Sequence, residues 1–228
     1  MTVCGASGHD RPAATYPARV EPHTLAPPGA GSGDGDPVDV PAPFRAALES
    51  IARFQPRPEI VLEHIPAPTR LAPFAHAIGA HVSELDGDEE VEIASARFIL
   101  LYDPAGHDAW HGTMRCVGYL SAETDEQMVD DTMFSEVAWS WLTDALTESG
   151  AAHHAVGGTV TRTASTRFGD LAGPEHSVDV EMRASWTAGD TDLDRHLSAW
   201  LDVVGTAAGL PPPGVRLLGN DRPGDETL

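Results

Sequence analysis

The sequence predicts an α+β fold, a mixed or antiparallel sheet with helices packed across one face, and it carries the marks of an internal ββα duplication. Three observations predict this. Beyond about residue 41, apolar residues recur at alternating spacing in some stretches and at three-to-four-residue spacing in others. The order strand–strand–helix then occurs twice between Val91 and Gly209. Two dipeptides recur in matching places: Met114-Arg115 answers Met182-Arg183, and Ala138-Trp139 answers Ala199-Trp200.

Residues 1–40 are rich in Pro, Gly and small residues and lack apolar periodicity. They are expected to form a disordered tail, because they cannot bury enough surface to offset ordering entropy. Residues 41–217 are expected to form a single α+β domain, and 218–228 a shorter disordered tail. The domain opens with a helix: Pro43 suits a first turn, and Phe44, Ala47, Leu48, Ile51 and Phe54 follow helical spacing. "RPEIVLEHIPAP" reads as a short strand anchored by Ile60 and Leu62, with Ile65 a further candidate. "LAPFAHAIGAHV" fits either a helix or a strand, and "SELDGDEE" reads as an acidic loop. "VEIASARFILLYD" is a strand that is apolar on both faces from Phe98 to Tyr102, as a central strand should be. "AWHGTMRCVGYLSAE" is its return, with Trp110 expected in the core.

A helix follows, opened by a capping box of Thr124 with Gln127. One stripe runs through Val129, Met133, Val137, Trp141 and Ala145, a second through Phe134, Ala138, Leu142 and Leu146, and Gly150 is its natural C-cap. "AVGGTVTRTASTRFG" and "SVDVEMRASWTA" read as the next two strands. In the second, Val178, Val180, Met182, Ala184 and Trp186 face inward. The last helix is capped by Asp190 or Thr191, carries Leu193, Leu197, Trp200, Leu201 and Val204 on one stripe, and closes at Gly209.

Composition excludes several functions. The formal net charge of -21 opposes phosphate backbones and anionic membranes. All 14 basic residues are arginine, so there is no lysine for a phosphate-binding P-loop, a Schiff base or a kinase-type site. No apolar run approaches the length that spans a bilayer, and the N-terminus lacks a readable secretory signal, so a cytoplasmic protein is expected. Cys4 and Cys116 are not expected to pair, and Cys116 reads as a small buried hydrophobe.

Several segments taken in order resemble one known family. They are "RPEIVLEHIPAPTRLAP", "FILLYDPAGHDAWHGTMR", "EVAWSWLTDAL", "GGTVTRTASTRFG", "VEMRASWT" and "AAGLPPPGV". Over about residues 43–216 they are similar to an actinobacterial domain-of-unknown-function family (domain of unknown function three thousand), often encoded beside a ribonuclease D-like exonuclease. The resemblance transfers no catalytic residue and no cofactor. It implies a setting in RNA metabolism or an adjacent housekeeping pathway.

Candidate chemistry centres on "YDPAGHDAWHGTMRC". Asp103, His107 and His111 are of types that suit a metal or acid–base centre. Pro104 and Gly106 instead favour a hairpin, with His107 in the loop, His111 on the rising strand and Asp103 accepting backbone N–H bonds. Cys116 falls on the opposite face. Gly157 and Gly158 are expected to allow a bulge or close packing under a tryptophan. Arg115, Arg162, Arg167 and Arg183 could line an anion-binding groove on the open face of the sheet, the competing outcome being pairing with nearby acids. Trp139 lies off the helix stripe, and with its counterpart Trp200 it is a candidate interface anchor. The resulting expectation is a non-enzymatic, acidic protein-interaction module without cofactor or metal. A small-anion binder or hydrolase using Asp103, His107 and His111, or the arginine-lined groove, is the alternative. Direct nucleic-acid or membrane binding is not expected.

Overall fold

The computed structural model describes residues 40–86, 89–124, 131–170 and 176–212. The predicted tails, 1–40 and 218–228, lie outside these apart from Val40. Among the described residues the chain runs α1 (Ala42–Arg53), β1 (Ile60–His64), β2 (Phe74–Asp86), β3 (Glu89–His107), β4 (Gly112–Thr124), α2 (Phe134–Glu148), β5 (His153–Thr166), β6 (His176–Ala188) and α3 (Leu193–Ala207). The six strands form one sheet in the order β1-β2-β3-β4-β6-β5, and every neighbouring pair is antiparallel.

Alternation makes this sheet two-faced. On β4, Met114, Cys116, Leu120 and Ala122 are buried beneath the helices, while Arg115, Val117, Tyr119 and Ser121 between them stand half-exposed on the other face. On β6, Val178 to Trp186 follow the same alternation, as their spacing predicts. β3 is central: Phe98, Leu100 and Tyr102 are buried toward the helices and Leu101 is buried on the opposite face. The ambiguous stretch around Phe74 is strand. The predicted acidic loop is mostly strand too, with Ser83, Glu84 and Leu85 pairing with Glu92, Val91 and Glu90 after a bulge at Val82/Ser83. Backbone pairing with β3 overrides the weak strand propensity of those acidic residues.

α3 is the keystone of the helical layer. Its predicted stripe is buried, and so are His196, Ala199 and Val203: β3, β4 and β6 with α1 and α2 cover the helix except for an exposed stripe of Arg195, Asp202 and Thr206. Ser50 of α1 fastens its first turn. The hydroxyl accepts from the Asp194 N–H at 3.0 Å and donates to the Asp194 carboxylate at 2.6 Å. Trp200 lies so close to β4 that a Cβ at Gly118 would stand 2.6 Å from its ring. Trp139 of α2 covers Gly158 of β5 in the same manner, at 2.8 Å, and the register shifts between His154 and Gly157. Both roles anticipated for that glycine pair are met.

Two expectations for α2 need correction. The helix starts at Phe134, without a side-chain cap at Met133; Thr124 ends β4, and Gln127 lies outside the described residues. Of its two apolar stripes, Phe134, Ala138, Leu142, Ala145 and Leu146 go to the core. Met133 and Val137 remain 54% and 46% exposed, and Trp141 is half-buried beside them. α2 sits at the edge of the layer, over β5 and against α3, so only one of its sides finds the sheet. Trp110 is also not in the core. It belongs to a short 3-10 turn, Asp108–Trp110, and stacks on His107 with ring centroids 4.9 Å apart.

Candidate functional site

The hairpin between β3 and β4 separates the residues that suggested a metal. Asp103 accepts the Ala105 N–H at 2.9 Å, as its turn position predicts. His107 ends β3, its ring lies on Trp110, and its Nδ1 accepts the Ala109 N–H at 3.2 Å. His111 is not on the rising strand; it closes the 3-10 turn in the left-handed region at φ 54°, and its carbonyl receives His154 Nε2 at 3.1 Å. Among the described residues, no three His, Cys, Asp or Glu side chains converge as metal ligands. Cys116 is fully buried on the helix side, where burial pushes its thiol well above the usual range.

The arginines do not form one groove. Arg162 points to the helix side, where its guanidinium lies 5.7 Å from the Phe134 ring centroid and donates to the Asp131 carbonyl at 2.6 Å. The bulge and the parity of β5 put it opposite Val180, a core position, and that parity was invisible without the register. Arg167 lies just past the end of β5 at Thr166. Arg115 is on the open face but is consumed as a clamp. It donates to the Ala155 carbonyl, to Thr187 Oγ1 and to Ser185 Oγ at 2.8, 3.0 and 2.6 Å, and Thr187 in turn donates to the Trp110 carbonyl. This network ties the hairpin tip to β6. Burial lowers the Arg115 guanidinium somewhat from its ordinary value.

Arg183 does lie exposed on the open face. Its Nε donates to Glu181 at 2.8 Å, its guanidinium lies 5.5 Å from the Tyr119 ring centroid, and the Tyr119 hydroxyl donates to the other Glu181 oxygen at 2.9 Å. The hydrogen bond from Arg183, followed by that from Tyr119, holds the Glu181 carboxyl below its usual range. Nearby, His81 lies between two carboxylates. Its Nε2 is 3.1 Å from Glu63, and its Nδ1 is 3.2 Å from Glu92 but out of line for a hydrogen bond. Sequence reading missed Tyr119, Arg97 and His81 as open-face residues. Strand alternation assigns each its face, but only the pairing register brings them together.

The two tryptophans part company. Trp200 is fully buried and cannot meet a partner, because its helix occupies the centre of the layer. Trp139 is half-buried and packs on Gly158. The accessible apolar surface lies elsewhere. Beside α2 and the end of α3 is a groove of about 670 Å³, with Ile93, Phe134, Val137 and Trp141 among its walls and Glu84, Glu123 and Asp131 at its margins. Exposed Leu85 and Val91 stand on the adjoining β2–β3 hairpin. No helix among the described residues is long and apolar enough to cross a membrane.

Compared with known proteins, residues 40–216 match the model of one family, described as "Protein of unknown function (DUF3000)". No curated protein and no solved structure matches the chain.

Proposed function

The chain belongs to the DUF3000 family of proteins of unknown function, and we propose that it acts as an acidic protein-interaction module that docks a basic, amphipathic segment of a partner protein. The observation that carries this reading is the second apolar stripe of α2. A helix at the edge of a layer needs one apolar side, yet this one presents Met133, Val137 and Trp141 away from its core stripe, beside the acidic-margined groove. Apolar walls supply burial for a partner's apolar side chains, and Glu84, Glu123 and Asp131 favour a basic rim around them. The net charge of -21 raises the encounter rate with a basic partner and disfavours an acidic one. A basic RNA-processing protein fits this chemistry, and that setting rests on the resemblance alone.

The test uses the full chain as bait, with wild type and Val137→Arg compared by affinity capture and mass spectrometry. Val137 is exposed, so the substitution is expected to leave the melting temperature nearly unchanged while placing a like charge against a basic partner. The expected result is a captured protein with a basic amphipathic segment that Val137→Arg loses. A capture profile that Val137→Arg leaves unchanged refutes the proposal.

A further inference from the structure

On the open face of the sheet, one row that crosses all six strands carries two arginines. Register sets Glu63, Gly79, Arg97, Tyr119, Arg183 and Thr159 directly opposite one another on β1, β2, β3, β4, β6 and β5. Opposed side chains stand about 5 Å apart in such a row. Arg97 and Arg183 therefore flank Tyr119 from strands about 10 Å apart, a span that two guanidinium arms can close on one ligand group. Both line a concavity of about 450 Å³ with Ile99, Val117 and Tyr119.

We propose that this concavity binds a small organic oxyanion, its carboxylate or phosphate head held between Arg97 and Arg183 and its flat apolar body lying over Ile99 and Val117.

Three observations support it. Among the described residues, Arg97 has no hydrogen-bond or ion-pair partner, in a chain with 35 acidic and 14 basic residues. The nearby carboxylates are committed elsewhere, Glu63 to His81 and Glu181 to Arg183 and Tyr119. Arg183 is oriented in advance. Its Nε is taken by Glu181 and its plane rests near the Tyr119 ring, which leaves the terminal nitrogens for a planar, forked acceptor. The apolar pair Ile99 and Val117 forms the adjoining cross-strand row, so a ligand that has both a charged head and an apolar body meets both surfaces at once. The chain's overall charge sets the size limit. A one- or two-charge anion can be met by two guanidinium groups, whereas a polyanion would bring many more charges against a net -21.

The experiment is isothermal titration of the full chain with phenyl phosphate, with inorganic phosphate as the comparison. Wild type is expected to bind one phenyl phosphate and to bind inorganic phosphate about tenfold or more weakly, because the phenyl ring buries apolar surface. Arg97→Gln and Arg183→Gln are each expected to weaken phenyl phosphate about tenfold or more, since each removes a charge-assisted contact from an exposed position. Val137→Arg, on the other side of the sheet, is expected to bind as wild type does. Its failure in partner capture and its success here would separate the two surfaces. The proposal is overturned if wild type shows no saturation below about 10 mM phenyl phosphate, or if Arg97→Gln binds as tightly as wild type. Equal affinity for the two phosphates would overturn the apolar half of the site.

Discussion

Replacing His196 by Asn should flatten a pH dependence of stability that the structure places in a defined window. His196 is fully buried on α3, stacked near Trp186, and its Nδ1 accepts the Trp186 indole N–H at 2.9 Å. That bond requires a bare Nδ1, so the ring is neutral with its proton on Nε2, and a second proton would set two N–H groups against each other. Burial is the main reason the imidazole is pushed from 6.5 down to about 4, with Asp190 and Asp194 opposing it and His153 adding to it. Because the unfolded chain takes up this proton near 6.5 and the folded chain only near 4, the unfolded state binds more protons between those values. The contribution is thus fully present above about pH 6.5 and is lost as pH falls toward about 4. At 1.36 kcal/mol per pH unit the whole interval is worth about 3 kcal/mol. The Asn carbonyl can accept the same indole N–H, so His196→Asn should cost only about 1–2 kcal/mol near neutrality, for lost volume. Urea unfolding of both proteins at about pH 7 and about pH 4.5 measures the difference. His76, which burial followed by nearby His64 also lowers to about 4, is present in both proteins and cancels, as do the carboxylates. The stability gap should close by about 2–3 kcal/mol at the lower pH, leaving the variant as stable as wild type or more so. A gap that stays constant across the range would refute the reasoning.

Gly118→Ala should destabilise by about 2–3 kcal/mol or more in urea unfolding, because the new methyl would stand 2.6 Å from the ring of Trp200, which is fully buried and has nowhere to move. In a Cys4→Ser background, Cys116 should react with a thiol reagent only at the rate of unfolding, since its thiol is buried and its pKa is raised by that burial; rapid stoichiometric labelling of the folded chain would contradict its placement.

Much of the fold was legible because it rests on local periodicity. The two-residue alternation of "SVDVEMRASWT" fixed both faces of β6, and the stripe from Leu193 to Val204 identified the face of α3 toward the core, though not that burial extends to His196, Ala199 and Val203. The errors share one cause. For α2 the sequence offers two apolar stripes of similar strength, and nothing local says which one meets the sheet; only its place beside α3 and over β5 decides for Phe134, Ala138 and Leu142. Trp139 and Trp200 each follow an alanine in a helix after a strand pair yet differ in exposure, since α3 lies at the centre of the layer and α2 at its margin. A shared dipeptide does not record which neighbours its helix will meet.

The arginines make the same point for function. Arg115 and Arg183 both alternate outward on their strands, as their recurring Met-Arg dipeptides suggest, yet one is a structural clamp and the other is exposed. What separates them is the residue each meets across the sheet: Arg115 sits opposite Thr187, within reach of the Ala155 carbonyl that the β5 bulge presents, whereas Arg183 sits opposite Tyr119 with Arg97 one strand further. Arg162 fails for a different reason: intact alternation from His154 would leave it on the open face, but the extra residue of the bulge between His154 and Gly157 turns it toward the helices, opposite Val180. Strand parity gives each side chain a face. Register, which depends on pairs separated by tens of residues, decides whether guanidinium groups on that face meet acceptors from the fold or are left to meet a ligand. The open-face row is where that difference becomes testable, since Arg97→Gln removes a group on which nothing in the described fold depends.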